Sequence, residues 1–78
     1  MMKDLLVYIV KGLVDDPDAV AVDEIESGNT VTLELSVASD DMGRVIGRRG
    51  QVINAVRSLV EVKAARLGKR VDVELLEE

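Results

Sequence analysis

The run Val45-Ile46-Gly47-Arg48-Arg49-Gly50-Gln51-Val52-Ile53 constrains this chain more than any other stretch. Two glycines three apart, two arginines between them and apolar residues on both flanks describe a helix, a tight loop and a second helix. Without a Cβ, Gly47 and Gly50 can take positive φ and let a ligand come against the main chain. The first amides of the following helix, around Gly50 to Val52, lack an intrahelical partner and point along the positive end of the helix dipole, where an anion fits. Arg48 and Arg49 add fork-shaped donors that match phosphate oxygens. A bare GxxG is common, so its surroundings decide what it means.

Those surroundings are read from hydrophobic period. Asp4 to Val14 predicts an amphipathic helix, with Leu5 or Leu6, Ile9, Val10 and Leu13 at helical spacing, stopped by Pro17 and the cluster Asp15-Asp16-Asp18. Val20 to Glu26 predicts a strand whose phase slips between Val22 and Ile25, which leaves room for a bulge. Ser27-Gly28-Asn29-Thr30 suits a two-residue hairpin turn. Next comes the clearest period in the chain: Val31, Leu33, Leu35 and Val37 alternate with Thr32, Glu34 and Ser36, a strand with one buried face. Ser39-Asp40-Asp41 supplies N-cap oxygens for a short helix through Ile46. A longer helix is expected from about Gln51 to Leu67, closed by Gly68 at C′, and Val71, Val73 and Leu75 mark a last strand. Because two helices connect the central and last strands, those strands should run parallel, beside an antiparallel hairpin.

On the long helix the apolar positions cover an arc of roughly 200°, about twice the usual core-facing stripe. One sheet face cannot cover that arc. The N-terminal helix is expected to take part of the excess, with a ligand groove or a protein partner taking the rest. With 78 residues there is core for one domain only, and such cores rarely supply more than about 3–5 kcal/mol. No cysteine is available as a staple and no Cys or His for a structural zinc, so partner binding or oligomerisation would help. The longest apolar run, Leu5 to Val10, is too short to span a bilayer and is bracketed too closely by Asp4 and Lys11 for a signal peptide. A soluble, cytoplasmic protein with no membrane partner is the expectation.

A net charge of −5 argues at first sight against a polyanionic ligand. Its distribution answers the objection. Between Arg44 and Arg70 stand eight basic residues and one acid, Glu61, a local +7, whereas the remainder holds Lys3 and Lys11 against fourteen acids. A basic segment centred on the glycine loop is what a polyanion site needs locally.

With the glycine loop flanked by helices, and with an N-terminal helix and strand ahead of a strand-helix-helix-strand unit, the chain resembles a K-homology (KH) domain of type II. The likeness runs from Asp4 to Leu75. More narrowly it is similar to the KhpA family of small bacterial single-KH RNA-binding proteins, through Val14-Asp15-Asp16-Pro17, Asp41-Met42-Gly43-Arg44-Val45-Ile46-Gly47 and Lys69-Arg70-Val71. The implied fold is α+β: a single KH domain over 1–78, α-β-β-α-α-β, with a three-stranded mixed sheet covered by helices on one face. The resemblance implies that Gly47, Arg48, Arg49 and Gly50 grip the backbone of about four nucleotides of single-stranded RNA. Bases would lie over an apolar groove to which Val45, Ile46, Val52 and Ile53 are candidate contributors, Ile53 being nearer the core, with Gln51 beside the loop. Arg44 and Arg57 are candidate flanking phosphate contacts; each could instead pair with an acid, Arg57 with Glu61 at i+4 for example. Family likeness also implies self-association, or a heterodimer with a larger RNA-binding protein of the Jag/KhpB kind, and a post-transcriptional regulator or RNA chaperone as the role.

Other classes fare poorly. RRM and OB-fold proteins stack bases on aromatic rings, yet this chain has no Phe, no Trp and only Tyr8. Catalysis lacks its usual groups: no histidine, no cysteine, and no evident base for Ser27, Ser36, Ser39 or Ser58. Acidic residues lack metal-ligand spacing, and no cofactor is expected. The alternative reading is a KH-fold protein-interaction or dimerisation module with weak or no RNA binding.

Overall fold

The computed structural model describes residues 2–77. Helix α1 spans Met2–Lys11, strands β1 and β2 span Ala21–Ser27 and Thr30–Ser36, helices α2 and α3 span Met42–Ile46 and Gln51–Arg66, and strand β3 spans Arg70–Leu75. The element order is the one the periodicity predicts. The sheet order is β1-β2-β3, with β1 and β2 antiparallel and β2 and β3 parallel, as the crossover through α2 and α3 requires.

The register gives the sheet its two faces. Val22, Leu35 and Leu75 share a cross-strand row, as do Leu33 with Val73 and Val31 with Val71; these positions lie under the helices. Leu6 and Val10 from α1, Val45 from α2 and Val60 from α3 complete a core in which each is fully withdrawn from solvent. The opposite face carries Asp23, Glu34 and Glu74 in one row and Ile25, Thr32 and Asp72 in the next.

Two turns behave as their residues demand. The β1–β2 hairpin closes through Gly28 and Asn29, with Gly28 at φ 59. Helix α3 ends in a Schellman arrangement, the Lys69 amide donating to the Ala64 carbonyl (2.9 Å) and the Gly68 amide to that of Ala65 (3.1 Å), with Gly68 at φ 69.

Three expectations are corrected. Helix α1 stops at Lys11 rather than Val14, because the amides of Gly12 and Leu13 turn back onto the carbonyls of Ile9 and Val10 and the chain then leaves the helix axis. Strand β1 carries no bulge: its register with β2 is continuous, and the phase slip is absorbed by leaving Ile25 52% exposed on the open face. No side chain of the Ser39-Asp40-Asp41 turn caps a helix. Asp41 instead reaches across the molecule, 2% exposed, and accepts the Asp15 amide at Oδ1 (3.0 Å) and the Asp16 amide at Oδ2 (3.1 Å). As the width of the arc led one to expect, α1 packs against α3 and covers only part of it, and Leu59 and Val62 remain 55% and 61% exposed.

Candidate nucleic-acid interface

Helix α2 is five residues long and ends where Gly47 takes φ 76, ψ 176, a combination essentially reserved for glycine. A Cβ at this position would stand 2.4 Å from Val52 Cγ2 and 2.8 Å from the Val52 amide nitrogen. The loop is therefore folded back tightly on the first turn of α3. One 3₁₀ turn, Arg48–Gly50, carries the chain over, closed by the Gly50 amide on the Gly47 carbonyl (3.2 Å). Gly50 is left-handed at φ 75, ψ 15 but has open space around it, and a methyl group there would come no nearer than 3.7 Å to a neighbour, Asn54 Nδ2.

Arg49 shares that left-handed region at φ 57, ψ 26, among the described residues the one non-glycine with positive φ. Such a conformation costs a side-chain-bearing residue roughly 1–2 kcal/mol. The arrangement holds Arg48 and Arg49 outward, exposed, and in no ion pair among the described residues. Helix α3 then begins without a side-chain cap at Gly50 and without an acid in its first turn. Glycine backbone, two unpaired guanidinium groups and an uncapped helix start converge within four residues.

The apolar neighbours separate into two kinds. Val45 and Ile53, expected as possible groove residues, are buried at 0% and 6% exposure and belong to the core. Their burial follows from packing: both belong to the single hydrophobic cluster that the helices form with the sheet. Ile46 and Val52 are half-buried, and Ile46 lines a depression of about 300 Å³ together with Met42 and Leu76. Gln51 is exposed at the start of α3.

Neither flanking arginine is simply free. Arg44 bridges Asp15 (Nη2 to Oδ2, 2.8 Å) and Asp41 (Nε to Oδ1, 3.5 Å), joining the α1–β1 connection to α2. Arg57 does not pair with Glu61. Its Nε donates to the Val73 carbonyl on the outer edge of β3 (3.1 Å), and its Nη1 to Asn54 Oδ1 (3.2 Å).

A groove that the sequence reading missed runs between α3 and the free edge of β3. One depression, about 290 Å³, is lined by Arg57, Glu61 and residues 71–74; the next, about 500 Å³, shares Glu61, Val71 and Asp72 and adds Lys69 and Arg70. The Lys69-Arg70 pair at the start of β3 was the available signal. Lys69 Nζ is held by Glu26 Oε2 at 2.6 Å. Among the described residues no group of acidic side chains is arranged to hold a metal ion, and no helix is long and apolar enough to cross a membrane.

Comparison with known proteins agrees with this geometry. A family model described as the KH domain of KhpA and KhpB matches residues 3–75. The chain is 47% identical over 75 residues to the RNA-binding protein KhpA of Caldanaerobacter subterraneus subsp. tengcongensis, covering 96% of this chain and 100% of that one. To the protein of the same name from Chlamydia pneumoniae it is 44% identical over 77 residues, 99% of each. Among solved structures, Era of Aquifex aeolicus bound to GDP and aluminium fluoride superposes with a TM-score of 0.69 at 20% identity, covering 95% of this chain and 29% of Era. Era in complex with MgGDPNP and nucleotides 1506–1542 of 16S ribosomal RNA gives 0.68 at 21% identity, with 28% of Era covered. At that identity the likeness to Era is one of fold.

Proposed function

The chain belongs to the KhpA/KhpB KH-domain family, and from that premise we propose that it binds single-stranded RNA, gripping about four nucleotides of backbone with Gly47-Arg48-Arg49-Gly50. The carrying observation is the loop: a glycine-only backbone at Gly47 lets phosphates approach, and Arg48 and Arg49 stand unpaired beside an uncapped helix start. Ile46 and Val52 serve as the apolar floor beside the loop. Bases extend along the groove between α3 and β3, past Arg57. Arg44 acts mainly by holding α2 in place.

The role is that of a small non-enzymatic, cytoplasmic RNA-binding module, a regulator or chaperone of RNA. Leu59 and Val62 on the outer side of α3 favour a second, coexisting reading, pairing with another copy or with a Jag/KhpB-type partner.

Replacing Arg48 and Arg49 together by aspartate tests the RNA reading. Aspartate tolerates the left-handed backbone at position 49, and both glycines remain, so circular dichroism and the melting midpoint should stay near the parent values. Affinity for single-stranded RNA should fall at least tenfold, about 1.4 kcal/mol or more, as attraction becomes repulsion. Parent-like binding by the folded double variant would remove the loop as the site and promote the interaction reading.

A further inference from the structure

Glu61 is the single acid between Arg44 and Arg70, and it lines the α3–β3 groove one helical turn beyond Arg57. Residues four apart on a helix have Cβ atoms ~5–6 Å apart, close enough for an ion pair. No pair forms here, because Arg57 is committed to the Val73 carbonyl and to Asn54. Among the described residues Glu61 takes part in no ion pair and no side-chain hydrogen bond. Two anchors fix the guanidinium, and three of its five N–H donors stay uncommitted.

A carboxylate on the wall of a nucleic-acid groove repels phosphate, so its use there must come from a base. An ionised carboxylate only accepts, through two adjacent oxygens. Guanine alone among the four bases presents two neighbouring N–H donors, at N1 and the N2 amine, next to an acceptor, O6. Adenine and cytosine each offer one amine beside ring acceptors, and uracil one N–H between two carbonyls. The other acids of this depression, Asp72 and Glu74, occupy β3 positions that alternate toward the open face of the sheet.

We infer that the Arg57–Glu61 turn of α3 is a guanine-selective subsite: the Glu61 oxygens accept from N1–H and the N2 amine, and the free Arg57 donors reach O6. This deepens the RNA-binding reading above and rests on it. Arg57 lies seven residues from Gly50, ~10 Å along the helix, so the guanine read here belongs to the same short stretch of strand that the loop grips.

Fluorescence polarisation with labelled hexauridine carrying one G, A, C or inosine, scanned through the inner positions, is the test. The protein should bind the best G-containing oligomer about fivefold or more tightly than its A counterpart, the lower end of what a good bidentate base contact contributes. Inosine, which keeps N1–H and O6 but lacks the amine, should fall between them. Glu61→Gln turns one acceptor oxygen into an amide donor and should abolish or invert the preference, since glutamine complements adenine. Equal affinity for G and A, with oligouridine binding intact, would overturn the subsite and leave the RNA reading standing. A uniform gain by Glu61→Gln for every oligomer, the ranking unchanged, would reduce Glu61 to a repulsive charge and also overturn it. Failure of the folded parent to bind any oligomer would instead remove the RNA reading.

Discussion

Gly47 and Gly50 occupy the same motif for different physical reasons. At Gly47 a methyl group would strike the Val52 backbone and side chain, and the backbone angles are open to glycine alone. At Gly50 only the left-handed angle resists substitution, because nothing lies within 3.7 Å. Gly50→Ala should therefore cost ~1–2 kcal/mol, whereas Gly47→Ala should cost about 3 kcal/mol or more and leave so small a domain largely unfolded. Urea titration of both variants separates the two; equal losses would defeat the steric account of Gly47. Asp41 is the other residue whose identity is dictated by its surroundings, since its carboxylate takes two amides and the Arg44 guanidinium. Asp41→Ala strands those part-buried amides and should cost ~2–3 kcal/mol, the usual scale for hydrogen bonds to a charged group. In a domain of this size that lowers the melting midpoint by roughly 10–20 °C. A shift under a few degrees would mean that water replaces the carboxylate without loss.

Among the elements, the sheet carries a built-in electrostatic conflict. Asp23 on β1, Glu34 on β2 and Glu74 on β3 stand directly opposite one another on the open face. Like charges in cross-strand pairs destabilise, and opposite charges contribute roughly 0.2–1 kcal/mol per pair. Glu34→Lys converts both contacts from repulsive to attractive at the centre of the row and should raise stability by ~0.5–2 kcal/mol in thermal or urea melts at low salt, the gain shrinking as salt is added. A destabilised variant would indicate that Glu34 makes a compensating contact in solution. Helix α3 is the second element under tension: its buried stripe of Ile53, Val56, Val60 and Ala64 satisfies the sheet, while Leu59 and Val62 project into solvent.

For the whole molecule, that projecting stripe and the small core point the same way. The chain should self-associate at tens of micromolar through the outer side of α3, burying Leu59 and Val62, which relieves apolar exposure at about 25 cal/mol per Å² removed from water. Sedimentation equilibrium of the parent against a Leu59→Asp, Val62→Asp variant measures this. The variant should remain folded, since both side chains are exposed, and sediment as a monomer; a parent that is itself monomeric at several hundred micromolar would assign the stripe to a different protein. The charge distribution is compatible with both activities, because the acidic open face of the sheet lies away from the basic helical segment that carries the loop.

Local rules were enough for much of this. Alternation of Val31, Leu33, Leu35 and Val37, the Gly28-Asn29 turn, the Gly68 helix stop and the glycines of the loop each act within a few residues, through side-chain period or backbone angle, so the element order, the strand directions and the loop follow from the sequence. What tertiary structure decided depends on distant segments meeting. Asp41 reads as a helix cap until the α1–β1 connection arrives with two amides that need an acceptor. Val45 and Ile53 are indistinguishable from Ile46 and Val52 in apolar character, and only the packing of α2 and α3 into the common core divides core from groove wall. Arg57 and Glu61 are spaced to pair, but the edge of β3 presents the Val73 carbonyl as a better fixed acceptor. A carbonyl from a strand sixteen residues away has no signature in the helix that uses it, and the groove exists only once α3 and β3 have packed.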